Sequence, residues 1–198
     1  MTSLSALLPS RDIGVSIGRA KIGGSSYFTI PGTFISVALT NTRSADEVVY
    51  TPWITKVPIV IDQIKFEVTT AVAGNARVGI YAADADWQPI SKPLVDSGDI
   101  DTSTTGEKVY GISPSGVYLP PGRYLSVLNC SAAPTLRYFR GSPAANSVGS
   151  TLGASSVVGE LVSSQTYGAF PNPGTTWSGN SSSSIGFGHY LLFRISAL

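Results

Sequence analysis

Between Tyr50 and Tyr81 the side chains alternate. Ile64, Phe66 and Val68 fall on one parity, and Lys65, Glu67 and Thr69 on the other. A two-residue period sets one side of a strand against a packed interior and the other in water. A helix does not satisfy it, because helical faces repeat every 3.6 residues. Ala73-Gly74-Asn75 supplies a turn, since Gly and Asn take positive φ at little cost. Ala76, Val78, Ile80 and Ala82 then resume the alternation. Isoleucines at 59 and 61 change parity to 64 and 66 across Asp62-Gln63, which predicts a bulge or strand break there.

The same reading continues along the chain. Strands are expected over 58–70, 76–82, 93–100, 107–113, 116–119, 122–130 and 135–139, with a closing strand over 188–195. Asp84-Ala85-Asp86, Ser103-Thr104-Thr105-Gly106, Ser113-Pro114-Ser115-Gly116 and Pro120-Pro121-Gly122 supply the turns. Many short strands with Gly/Pro turns predict an all-β fold, an antiparallel sandwich or jelly roll. Residues 141–184 hold few large apolar groups and much Ser, Gly, Asn and Pro, so they are expected to form long loops.

Residues 1–49 differ from the rest of the chain. Large apolar residues are too sparse there to build an independent core. One reading is an extended anchoring arm that orders on a neighbour through Leu4, Leu7, Leu8, Ile13, Tyr27 and Phe28. The other is the first strands of one domain. The expected division is a 1–49 arm and a 50–198 sandwich.

Composition excludes several classes of function. Net charge is +1 and Lys/Arg runs are absent, so nucleic acid is not an expected partner. Charged residues make up 13% of the 198 positions, against roughly 25% in an average domain. A surface this poor in charge is either buried against other chains or covered with Ser, Thr and Asn. Cys130 is the only cysteine, which rules out an intrachain disulfide. The first nine residues lack the pattern of an export signal. No apolar run nears the ~20 residues that span a bilayer. The expectation is therefore a chain made in a cytoplasm, without membrane insertion.

Chemistry-bearing residues are few. Asp84, Asp86, Asp96, Asp99 and Asp101 cluster along the sequence, but without a calcium-loop pattern; as turn residues they cap backbone N–H groups. His189 is the only histidine, and no Gly-x-Ser-x-Gly elbow accompanies it. Cys130 reads as a small buried hydrophobe. No catalytic residue, metal or cofactor is expected. Trp87 beside Asp84 and Asp86, and Tyr167 and Trp177 in the Ser/Gly-rich stretch, offer flat rings near hydrogen-bonding groups. That combination suits contact with a glycan. The competing reading is that the rings plug the sandwich or an interface.

A series of segments resembles a module of tailed-bacteriophage virion proteins. It runs T-P-W-I-T-K-V-P-I-V-I-D-Q-I-K-F-E-V-T-T, A-G-N-A-R-V-G-I-Y-A-A-D, P-L-V-D-S-G, T-T-G-E-K, L-P-P-G-R-Y and A-P-T-L-R, over roughly residues 50–140. A weaker echo lies in Tyr167-Gly168-Ala169-Phe170-Pro171 and the last strand. The resemblance implies a β-sandwich or jelly roll, usually trimeric, exposed on the particle as in tail-fibre and head-fibre proteins. It brings no catalytic motif. Related appendages often carry long rods before the module, whereas about 50 residues precede it here. The expected role is a short fibre or knob of the virion, bound to capsid or tail proteins and contacting host-surface polysaccharide. Alternatives are a decoration (cement) protein that stabilises the shell and, third, a glycan-cleaving enzyme.

Overall fold

The computed structural model describes residues 21–22, 25–28, 35–112, 114–141, 160–176, 179–180 and 188–196. Their strands, in chain order, are β1 (Lys21–Ile22), β2 (Ser25–Phe28), β3 (Ile35–Thr42), β4 (Glu47–Thr55), β5 (Ile59–Thr70), β6 (Asn75–Ala83), β7 (Pro89–Asp96) and β8 (Ile100–Asp101). Then come β9 (Gly106–Gly111), β10 (Val117–Leu119), β11 (Gly122–Cys130), β12 (Thr135–Gly141), β13 (Leu161–Ser164), β14 (Gly179–Asn180), β15 (Gly188–His189) and β16 (Leu192–Ser196). No helix occurs among the described residues.

The strands form two antiparallel sheets packed as a β-sandwich. The first sheet runs β1-β2-β16-β5-β12-β15, with β9 and β10 also on β5 and β3 on β12. The second runs β14-β13-β4-β11-β6-β7, with β8 on β6. The central strand of the first sheet is β5, and its burial alternates as its sequence does. Ile61 pairs with Ile195 and Gln63 with Arg194, so the register shifts across Asp62. The parity change at Asp62-Gln63 is thus a bulge in a continuous strand. Ile61, Ile64, Phe66 and Val68 meet Val78, Ile80, Tyr124 and Leu128 of the second sheet. Trp53 of β4 ties the layers, with its ring 5.0 Å from Tyr124 and 5.8 Å from Phe193 between centroids.

Three boundaries differ from the sequence reading. The 49/50 division falls inside β4, and β3 pairs with β12 from Thr42↔Thr135 to Ile35↔Gly141. The described strand before residue 43 is therefore built into the first sheet and is not a detached arm. Leu4, Leu7, Leu8 and Ile13 lie outside the described residues. Tyr27 and Phe28 lie in β2, opposite Arg194 and Phe193 of β16. Strand β7 spans 89–96 instead of 93–100. It is a sheet edge, where Pro89 and Pro93 are tolerated because no ladder partner needs their missing N–H. The closing strand is split: β15 pairs with β12 and β16 with β5, with Tyr190 and Leu191 buried between them.

Candidate functional site

The outward faces of the two sheets have different fates. On the second sheet, Val48, Tyr50, Tyr81, Leu125 and Val127 form an apolar cluster separate from the inter-sheet core, together with Leu161 and Phe170. The cover comes from the long connection between β13 and β14, whose residues 165–176 fold back over the sheet. Phe170 is 6% exposed and meets Tyr81 edge to face, 6.1 Å between centroids. The Tyr81 hydroxyl donates to the Pro171 carbonyl at 2.7 Å, and the Tyr50 hydroxyl to that of Thr175 at 3.0 Å. Burial pushes both phenols well above their ordinary range, so they remain donors. Gly79 makes the close approach possible: a Cβ there would press on the Val95 carbonyl and lie 2.9 Å from the Phe170 ring.

This cover separates the residues expected to meet at a glycan. Asp84, Asp86 and Trp87 form the β6–β7 turn at one end of the second sheet. Asp84 Oδ1 accepts the backbone N–H groups of Asp86 and Gln88, at 2.9 and 2.8 Å. Asp84 is therefore engaged in shaping the turn. Tyr167 lies at the other end: its N–H donates to Asp46 and its hydroxyl to Asp99 at 3.0 Å. Nine residues of β6 separate the two ends, about 30 Å of strand. Trp177 lies outside the described residues. The four described residues therefore do not converge on one site.

What remains at the first end is a smaller surface. Trp87 has φ +62, a left-handed conformation that L side chains rarely take. It packs against the edge of the outer cluster and lies beneath Arg123, whose guanidinium carbon is 5.5 Å from the ring centroid. The Ala85 carbonyl accepts from Arg123 at 2.8 Å. Asp86 and Ile54 are exposed. The sequence offered Arg123 only as part of a Pro-Pro-Gly-Arg-Tyr turn; its contact with Trp87 joins positions 36 residues apart, with no local signal.

The clustered aspartates cap backbone N–H groups or pair with Arg77. Asp96 accepts from Gly98 N–H, Phe170 N–H and Arg77. Asp99 pairs with Arg77, and Asp101 caps Ser103. Among the described residues no group of three His, Cys, Asp or Glu side chains is arranged to hold a metal ion.

The outward face of the first sheet has no comparable cover among the described residues. Glu67 and Glu107 sit directly opposite each other on β5 and β9, a repulsive arrangement. Each takes its own cation. Lys65 donates to Glu107 at 2.8 Å, and Arg137 grips Glu67 with two bonds of 3.0 and 3.1 Å. The hydrogen bonds from Arg137 hold the Glu67 carboxyl below its usual range. Arg194 pairs with Asp62 at 2.7 Å. Val109 and Tyr118 stand on this face, 50% and 60% exposed.

A buried ionic cluster closes the opposite end of the sandwich. Arg43, between β3 and β4, contacts Glu47, the Tyr190 hydroxyl at 2.6 Å and Glu160 at 3.4 Å. Asn41 donates to the same hydroxyl at 2.8 Å. Glu160 is 4% exposed, and burial pushes its carboxyl up to about 7 against the pull of Arg43. Burial likewise raises Tyr190 to about 12. Burial alone would lower Arg43, but Tyr190, Glu160 and Glu47 hold it raised and charged. The cluster joins three chain crossings, at 43, 160 and 190, and no local sequence pattern announces it.

Cys130 is buried in the inter-sheet core, and burial raises its thiol to about 12. His189 lies in β15 opposite Phe139.

No family model matches the chain, and no curated protein does. Among solved structures, the Clostridial cysteine protease Cwp84 after propeptide cleavage is similar in fold, with 11% identity and a TM-score of 0.50. The similarity covers 88% of this chain and 40% of that one. A structure of the cysteine protease and lectin-like domains of Cwp84, a surface-layer-associated protein of Clostridium difficile, has 11% identity and a TM-score of 0.46, covering 77% and 33%. The chain spans less than half the length of these solved chains.

Proposed function

We propose that the chain is a non-catalytic structural protein of a tailed-phage virion, a short fibre or knob that assembles through its β-sandwich and is displayed on the particle. The observation that carries this reading is the contrast between the outward faces. One is sealed by the chain's own 165–176 segment. The other leaves Val109 and Tyr118 exposed beside three ion pairs, Lys65–Glu107, Arg137–Glu67 and Arg194–Asp62. Burying Val109 and Tyr118 against another copy would remove apolar surface from water, and the paired charges beside them would leave no lone ion in the contact. The segment order over residues 50–140 supplies the virion context.

The protease title of the structural neighbour does not extend to this chain. A nucleophilic cysteine needs an accessible thiolate, and Cys130 is buried with its thiol pushed up to about 12. The Trp87–Arg123 surface is where a host polysaccharide would be met, with the indole edge and the guanidinium as contacts. A cement role is the second reading, favoured by the same bare face if it meets a shell lattice.

Electron microscopy of particles carrying a labelled chain tests the proposal. Density projecting from capsid or tail supports a fibre or knob, and density spread flat between capsomers supports cement. Absence from purified particles refutes both. A glycan array with Trp87→Ala and Trp177→Ala variants tests host contact.

A further inference from the structure

We propose that Glu160 is a proton-operated latch: its neutral carboxyl holds the β13–β14 segment on the second sheet, and its ionisation loosens that segment. The geometry supplies the parts. Glu160 immediately precedes β13, whose continuation through residue 176 forms the cover. One cation, Arg43, is shared by two carboxylates. Glu47 is the closer and the more exposed, 28% against 4% for Glu160. Glu160 holds Arg43 only at 3.4 Å, and its Oε1 has no hydrogen-bond partner among the described residues. With both acids ionised, the cluster carries one uncompensated negative charge away from water, which is costly. With Glu160 neutral, the Arg43–Glu47 pair balances.

Among the described residues, the titratable groups facing the cluster are Arg43 from the β3–β4 connection, Glu47 from β4, Tyr190 from between β15 and β16, and Cys130 from the end of β11. Tyr190 and Cys130 are both raised to about 12, far above the range in question. The Glu160 carboxyl moves from an ordinary 4.5 to about 7: burial raises it most, attraction to Arg43 lowers it in part, and repulsion from Glu47 adds a smaller rise. A raised acid binds its proton more tightly when closed than when open. The closed state therefore loses stability as pH rises from about 4.5 to about 7, and stays level above. Opening would bare Tyr50, Tyr81, Leu125 and Val127.

Amide hydrogen exchange, corrected for intrinsic rates, tests the latch on the full chain. Protection of residues 161–164 and 170 should fall about tenfold per pH unit between roughly pH 5 and 7, the signature of one linked proton. Glu160→Gln, which mimics the neutral acid, should remove the slope. Glu47→Gln should shift the levelling-off to lower pH, because a repelling charge is gone. His189→Gln is the control, since imidazoles titrate in this window, and should keep the slope. A flat wild-type profile would overturn the latch. So would a slope that survives Glu160→Gln or vanishes with His189→Gln.

Discussion

The strands β4 and β11 are buried almost continuously, whereas β5 alternates between buried and half-buried positions on either side of its bulge at Asp62. The difference marks which sheet is covered twice. Strands packed on both faces lose their alternation, because both parities must be apolar or small. Val48-Val49-Tyr50 and Tyr124-Leu125-Ser126-Val127-Leu128 meet that demand. On β5 the second parity is Lys65, Glu67 and Thr69, which belong in water or against polar partners. One sandwich thus carries a face its own chain has finished and a face that the described residues leave open.

Substitutions separate the faces by size of effect. Phe170→Ala should be the largest, costing about 3–5 kcal/mol, because it removes the buried ring by which the cover packs on Tyr81. Urea unfolding followed by tyrosine and tryptophan fluorescence would measure it. A cost below about 1 kcal/mol would mean that the cover adds little to the fold. Gly79→Ala should follow at about 1–3 kcal/mol, from forcing a methyl against the Val95 carbonyl and the Phe170 ring. Combining it with Phe170→Ala sharpens the comparison. The pair should cost less than the sum, since removing the ring relieves half the clash. Tyr81→Phe leaves the Pro171 carbonyl without its donor and should cost about 0.5–1.5 kcal/mol. The smallest effect belongs to the open face. Arg137→Ala should cost no more than about 0.2–1 kcal/mol and shrink further in high salt, because the pair it breaks with Glu67 is well exposed. An Arg137 effect larger than that of Gly79→Ala would invert the assignment of the two faces.

Much of the strand layout was legible because its signals are local. The β5 alternation, the parity change at Asp62, the turn at Gly74 and the span of β11 all lie within a few residues of their causes. The cover was not legible. Phe170 and Gly174 sit in a stretch of small polar residues with no period, and their partners Gly79, Tyr81 and Pro89 are some 85 to 93 positions away. The glycan-contact expectation failed to assemble for the same reason. Tyr167 and Trp87 are both aromatic residues in loops, but only the topology says that they lie at opposite ends of the sheet. The Arg43–Glu160 contact, 117 residues apart, is equally invisible to any window along the chain.

The claim that the open face serves assembly is tested most directly by light scattering on the purified chain, beside Val109→Glu. The account predicts a wild-type mass of three times 20.6 kDa, reduced to 20.6 kDa when charge is placed on that face while the fold is kept. A wild-type chain that stays at 20.6 kDa across the accessible concentration range, or a trimer indifferent to Val109→Glu, would contradict it.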